Sequence, residues 1–334
     1  MATVDITIMG AGIFGLSVGY ACAKRGAKVR VIDPAGVAAG ASGGLVGALA
    51  PHVPENWNDK KAFQFESLLM AEDFWREVSR ISGDKTGYLR AGRLQPLNDD
   101  RALALAQERG KSASVLWRGK AVWEVIPARG IPWEPHSATG YLVRDTLSAH
   151  LHPRRATTAL SRALVALGGE ITNQHAPDGQ VVWATGWQGL AEVGGVGVKG
   201  QAALLGIDMR GAPQLFADSL HIIPHLDGTV AIGSTSEREF DDPNATDGQL
   251  DDILARAVAA MPVLTGAPVL ERWAGVRPRA KSRAPLLGHH PARKGEFIAN
   301  GGFKIGFGMA PKVGEVMADL LLDGTDAIPD GFRA

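Results

Sequence analysis

Short apolar runs alternate with stretches of helical periodicity along most of this chain, the pattern of an α/β protein. Ile6 to Met9 has the length and composition of a buried strand, and Val29 to Ile32 is a second, β-branched run. Between them Leu16, Val18 and Ala21 to Ala23 make an apolar stretch of helical length, closed by Lys24, Arg25 and Gly26. Apolar positions from Phe63 to Ser79, among them Phe65, Leu68, Leu69, Phe74 and Val78, predict a core helix. Residues from about 87 to 143 read as short mixed segments with Trp117, Trp123 and Trp133, expected as strands of a separate sheet. "HPRRATTALSRALVALGGEI" predicts a helix and then a strand, and "VVWATGWQ" a buried strand ending at Thr185 and Gly186. "LHIIPHLDGTVAIGST" predicts a hairpin turning at Asp227 and Gly228, and "DGQLDDILARAVAAMP" a helix stopped by Pro262. The tail from Glu296 predicts a strand, a glycine-rich turn and a closing amphipathic helix.

The first strand runs straight into Gly10, Gly12 and Gly15 in the spacing GxGxxG, and the second ends at Asp33. In such a unit Gly10 permits the tight turn, Gly12 lets the backbone approach a pyrophosphate, and Gly15 closes helix against strand. The helix N-terminus then faces the phosphates, and Asp33 can accept hydrogen bonds from an adenosine ribose. That is a dinucleotide site, and it suits NAD and FAD alike. The following "PAGVAAGASGGLVGALAPHVP" is too rich in Gly and Ala for a packed amphipathic helix; it either runs close to a ligand or forms a surface loop.

At 334 residues the chain exceeds the usual single core, so two joined domains are expected. Lys plus Arg equals Asp plus Glu at 35 each, which disfavours a nucleic-acid partner. One cysteine excludes internal disulfides and cysteine-rich metal sites, and no metal is expected. The start "MATVDITIMG" enters a strand at once, without a basic and apolar leader, and no stretch approaches a membrane span. A cytoplasmic location without membrane partners is the expectation.

Five pieces occur in order: "GAGIFG" with Asp33, "GASGGLVGALAP", "ATGWQG" after a strand, "AGVRP" at 274–278, and "GGFKIG" before the final helix. Over nearly the whole chain this set resembles the D-amino acid oxidase and glycine oxidase family of FAD-dependent amine oxidoreductases. The resemblance implies an α/β fold with a Rossmann-like FAD-binding domain and a substrate domain built on a mixed, largely antiparallel sheet. The boundaries expected are 1–80, 144–205 and 281–334 for the FAD-binding domain, and 81–143 and 206–280 for the substrate domain. FAD contacts are implied at Gly10, Gly12, Ile13, Phe14, Gly15 and Asp33, at Ala41, Ser42 and Gly47, at Thr185 and Gly186, and at Gly302, Phe303, Lys304 and Ile305. The implied chemistry removes a hydride equivalent from the carbon bearing the amine of a small amino acid or N-substituted glycine. The imine then hydrolyses, and the electrons pass to oxygen or another acceptor. Cys22 lies in the dinucleotide helix, away from any expected flavin edge, so noncovalent FAD is implied. Two other readings remain: an oxidase acting on a glycine-like group of a modified tRNA wobble uridine, and a non-catalytic FAD-binding subunit.

Four residues are candidates for the reaction site. Arg277 stands between Val276 and Pro278, where burial is costly unless a carboxylate pairs with it, and its planar fork suits bidentate binding. The resemblance puts it at the family's carboxylate-binding arginine; an internal ion pair is the competing reading. Arg279, Lys281 and Arg283 are expected to be solvated. His221 stands where several family members carry a substrate-contacting tyrosine, and it brings a group that titrates near neutrality; a satisfied strand histidine is the alternative. His52 falls where the family's chain passes near the flavin, or else in a surface loop. Lys304 would put a positive group near the pyrimidine edge of the flavin, with a solvent-facing lysine as the alternative.

Overall fold

The computed structural model describes residues 4–333. Ile6–Met9 (β1) and Val29–Ile32 (β2) pair in parallel, Ile6 opposite Val29 and Met9 opposite Ile32. Parallel pairing needs a crossover, and the intervening Ile13–Lys24 (α1) supplies it. Gln180–Trp183 (β9) flanks β1 on its other side and Glu170–Thr172 (β8) flanks β2, both in parallel. Leu286–His289 (β15) and Phe297–Asn300 (β16) complete a six-stranded sheet in the order β15-β16-β9-β1-β2-β8, in which only β15 runs antiparallel to its neighbour. Ile6, Thr7 and Ile8 are wholly buried, as a strand covered on both faces must be.

Asp59–Ser82 (α2), Pro153–Ala166 (α4) and Gly306–Asp323 (α7) pack with α1 around this sheet. The Asn58 side chain accepts from the Lys61 amide at the start of α2, and Gly83 ends it at φ 77°. Gly314 lets α7 close on α1: a Cβ there would lie 2.7 Å from the Ser17 carbonyl oxygen.

The larger sheet has eight strands. They are Arg93–Pro96 (β4), Trp123–Pro127 (β5), Tyr141–Asp145 (β6), Val196–Leu205 (β10), Gln214–Ala217 (β11), Leu220–Pro224 (β12), Val230–Gly233 (β13) and Val269–Arg279 (β14), in the order β14-β10-β13-β12-β11-β4-β6-β5. Only β11 and β4 pair in parallel, so the sheet is mixed and largely antiparallel as expected. Gly248–Ala260 (α6) covers one face through Leu250, Ile253 and Ala257. Ala48–Leu49 (β3) and Ala149–His150 (β7) form a small antiparallel pair.

Two sequence expectations are corrected here. Residues 196–205, placed with the FAD-binding segments, form β10 of the larger sheet, paired to β14 along its length. Residues 87–143 also hold a helix, Asp100–Leu116 (α3), capped by Asp99. It was hidden because only Ala106 and Ala113 are buried, leaving no large apolar stripe to read. Of the three tryptophans only Trp123 lies in a strand; Trp117 follows α3 in the core beside Phe65, and Trp133 lies in a loop and donates to the Pro213 carbonyl.

The junction of the two sheets carries buried histidines. His150 is wholly buried with neither ring nitrogen partnered, and burial pushes it down to about 4. His225 donates from Nε2 to the Leu45 carbonyl at 3.0 Å and lies 4.7 Å from the His152 ring; burial, then His152, push it down to about 4. A folded pKa below the unfolded value near 6.5 means that the folded chain binds fewer protons in that interval. Stability is therefore whole above pH 6.5 and falls as the pH drops toward 4, by on the order of 3 kcal/mol per histidine. Urea unfolding at pH 7 and pH 5 should show the loss, and His150→Leu should flatten it. An unchanged slope in that variant would mean that His150 titrates alike in both states.

Candidate active site

β1 ends at Gly10, whose φ of 113° only glycine adopts comfortably and where a Cβ would lie 2.4 Å from the Ala184 carbonyl oxygen. Gly15 faces the Gly10 carbonyl oxygen so closely that no side chain fits. Gly12, the residue before α1, is different: a Cβ would meet only Ser42 Oγ, at 3.3 Å. Nothing in the chain demands glycine there, whereas a pyrophosphate against the backbone would. Gly12 provides no capping side chain, so the first-turn amides of α1 face outward, apart from Ile13 N–H, which donates to Ser42 Oγ at 2.9 Å. The Asp33 carboxylate accepts from the Ala11 amide at 2.8 Å and the Ala35 amide at 3.0 Å, pinning the glycine turn to the end of β2.

Three other segments reach the same edge of the six-stranded sheet. Ala41–Gly43 forms a short 3-10 turn that brings Ser42 to α1. Thr185 lies beside Gly10, and Gly186 opens a short helix, Gly186–Ala191 (α5), with its carbonyl held by Asn300. The turn from Gly302 to Ile305 packs on α1, where a Cβ on Gly302 would lie 2.9 Å from the Phe14 ring. Gly47 is a different case from Gly12. A Cβ there would overlap the Leu151 carbonyl oxygen, so chain packing alone accounts for it. Open helix amides, a glycine that the chain itself does not require and an acid at the second strand fit FAD, which these segments would hold.

Next to that edge the last strand of the larger sheet delivers Arg277. The Phe303 amide donates to the Pro278 carbonyl at 3.0 Å, and Gly302 bridges to Arg279, so the 302–305 turn is tied to the end of β14. Phe303 holds a φ of 41°, a strained value for a bulky residue, and its ring lies 5.7 Å from Arg277, 5.9 Å from Arg279 and 5.7 Å from Lys304. Arg279 is thus half-buried against Phe303 rather than solvated, while Lys281 and Arg283 are exposed.

Arg277 donates from Nη1 to Ser234 Oγ at 2.6 Å, and from Nη2 to the carbonyls of Thr235 at 2.7 Å and Lys199 at 3.0 Å. All these acceptors are neutral, its Nε is buried without a partner, and burial pushes its pKa down to about 10. The competing reading of an internal ion pair is set aside, since the nearby Glu237 is engaged by Lys199 at 3.5 Å and by Thr235. The expectation of a free fork also changes: both Nη2 protons are already committed, which leaves Nε and the second Nη1 proton.

Lys304 shares the Phe303 ring with Arg277, but it is exposed, as the solvent-facing alternative had it. Desolvation, then Arg277, hold the Lys304 ammonium below the usual lysine range. Burial, then Arg93 and Lys304, push His221 down to about 3, and its Nδ1 is unpartnered. His221 is therefore neutral, not a group titrating near neutrality. Arg93, paired with Asp145 at 2.8 Å, was missed, as were Lys199, Gly200 and Ser234. The available signal was "KGQ", polar and glycine residues in the middle of an otherwise apolar strand. The His52 backbone amide and Nδ1 both meet the Gln64 side chain of α2, at 2.7 and 2.5 Å, which fixes the ring in place.

A mostly parallel sheet with a dinucleotide cradle, set against a mixed sheet that brings Arg277 to its edge, is the architecture of a two-domain dinucleotide-dependent enzyme. The DAO family of FAD-dependent oxidoreductases matches residues 5–320, and the chain belongs to it. It is 24% identical to glycine oxidase of Bacillus licheniformis, over 95% of this chain and 93% of that one. The crystal structure of glycine oxidase from Geobacillus kaustophilus superposes with a TM-score of 0.85 at 21% identity, covering 98% of this chain and 97% of that one. Iminodiacetate oxidase from Chelativorans gives a TM-score of 0.82 at 22% identity, covering 98% of both. No helix of the described residues is long and apolar enough to cross a membrane.

Proposed function

We propose that this FAD-dependent enzyme oxidises the carbon–nitrogen bond of glycine or of a glycine with a small N-substituent, with oxygen or another acceptor taking the electrons. The observation that carries this reading is Arg277, a half-buried cation whose acceptors in the chain are all neutral and which stands beside the 302–305 turn. A substrate carboxylate would supply the missing negative charge and hold the adjacent carbon in a fixed place. Bound FAD supplies the acceptor for the hydride equivalent. Lys304 keeps a second positive charge at the same turn, and neutral His221 offers a hydrogen bond without adding charge. Relatives named for glycine and iminodiacetate oxidation support this substrate class.

The test is anaerobic mixing of the yellow holoprotein with glycine, sarcosine, iminodiacetate, D-alanine and methylamine, followed by flavin absorbance. Bleaching by one or more of the glycine derivatives, and slow or no bleaching by methylamine, is the expected result. Equal bleaching by methylamine, or none by any carboxylate, would refute the proposal.

A further inference from the structure

We infer that Gly200 is a positioning residue: by lacking a side chain it provides the seat in which the Arg277 guanidinium is locked. This rests on the carboxylate reading of Arg277. In the β10–β14 ladder Val198 is opposite Arg277 and Gly200 is opposite Gly275. Side chains alternate along a strand, so positions 198 and 200 share a face with 273, 275 and 277. The Arg277 side chain leans along β10 and lies over Gly200, where a Cβ would be 2.2 Å from Nη2, 2.5 Å from Cζ and 2.8 Å from Nη1. These three atoms are the nearest that a side chain at 200 would meet.

From that seat the guanidinium reaches the Lys199 carbonyl on one side and Ser234 Oγ and the Thr235 carbonyl on the other. Three acceptors fix both its depth and its rotation. The facing Gly275 is filled from the other end by Trp273, whose ring would lie 2.5 Å from a Cβ there and which also rests on Gly44, in the glycine-rich segment after Ser42. The Gly200–Gly275 pair is thus a trough between the cation and a segment beside the dinucleotide cradle. An alanine at 200 would lift the guanidinium out of reach of its acceptors while leaving its charge in place. Its effect is then on carboxylate recognition, not on FAD.

The experiment compares wild type, Gly200→Ala, Arg277→Ala and the double variant, all as holoprotein. Acetate serves as carboxylate probe, titrated by its perturbation of the flavin spectrum, and FAD content and thermal unfolding are measured alongside. Gly200→Ala should weaken acetate at least tenfold with FAD content unchanged, and raise KM for the substrate found in the bleaching screen more than it lowers kcat. Its fall in melting temperature should largely vanish in the Arg277→Ala background, where the clash is gone. Unchanged acetate affinity in Gly200→Ala, or an equal melting penalty in both backgrounds, would overturn the inference and make Gly200 ordinary strand packing. If Gly200→Ala does not accumulate, the double variant decides: a folded double variant supports the clash with Arg277, and one that also fails to fold refutes it. Unchanged acetate affinity in Arg277→Ala would instead refute the carboxylate reading, and the melting comparison would still judge the seat.

Discussion

Arg277→Ala is expected to retain FAD and to lose the carboxylate substrate. Truncating one member of a buried charge pair costs about 2 to 5 kcal/mol, so substrate binding should weaken roughly 30-fold to several thousand-fold. Removing the side chain also strips the Lys199 and Thr235 carbonyls of a donor, so some thermal stability is lost with it. Flavin reduction must therefore be compared at a temperature where the variant is folded, with the substrate set against its decarboxylated amine. Loss confined to the carboxylate substrate is the expected outcome. Equal loss on both would mean that Arg277 supports the fold rather than the substrate. Arg277→Lys should recover little, because one ammonium on a flexible stem cannot span Ser234, Thr235 and Lys199 together.

The second large effect is expected at Gly12. Gly12→Leu should give a folded, colourless protein that FAD does not restore. The chain itself has room at this position, where only Ser42 Oγ lies near, so the new side chain occupies space that the pyrophosphate needs. Gly10→Leu is the contrasting case: there the φ of 113° and the Ala184 carbonyl make the substitution a folding defect. Circular dichroism and flavin content measured together separate the two. Undiminished flavin content in Gly12→Leu would show that the phosphates do not pass that glycine.

Legibility in the sequence followed how local each signal is. The glycine turn, α1, β2 and Asp33 were readable because a strand–turn–helix unit is written in about thirty consecutive residues. The hairpin across Asp227 and Gly228 and the helix stopped at Pro262 were readable for the same reason. α3 was not, since its buried face is two alanines, and residues 196–205 were placed with the FAD-binding segments because a segment's own residues do not name its partners.

The site divides in the same way. Sequence alone determined that the chain carries a dinucleotide cradle and that Arg277 is a cation in an apolar strand, both properties of neighbours along the chain. Only the tertiary structure decided that Lys304 and Arg277 share the Phe303 ring and that His52 bonds Gln64. It also decided that the fork is half committed to backbone carbonyls and that Gly200 makes room for it. The physical reason is that these facts depend on strand register and on desolvation. Both arise between segments far apart in the chain: the seat for residue 277 is built at 199–200 and 234–235, and its neutral acceptors meet it only once those strands have paired.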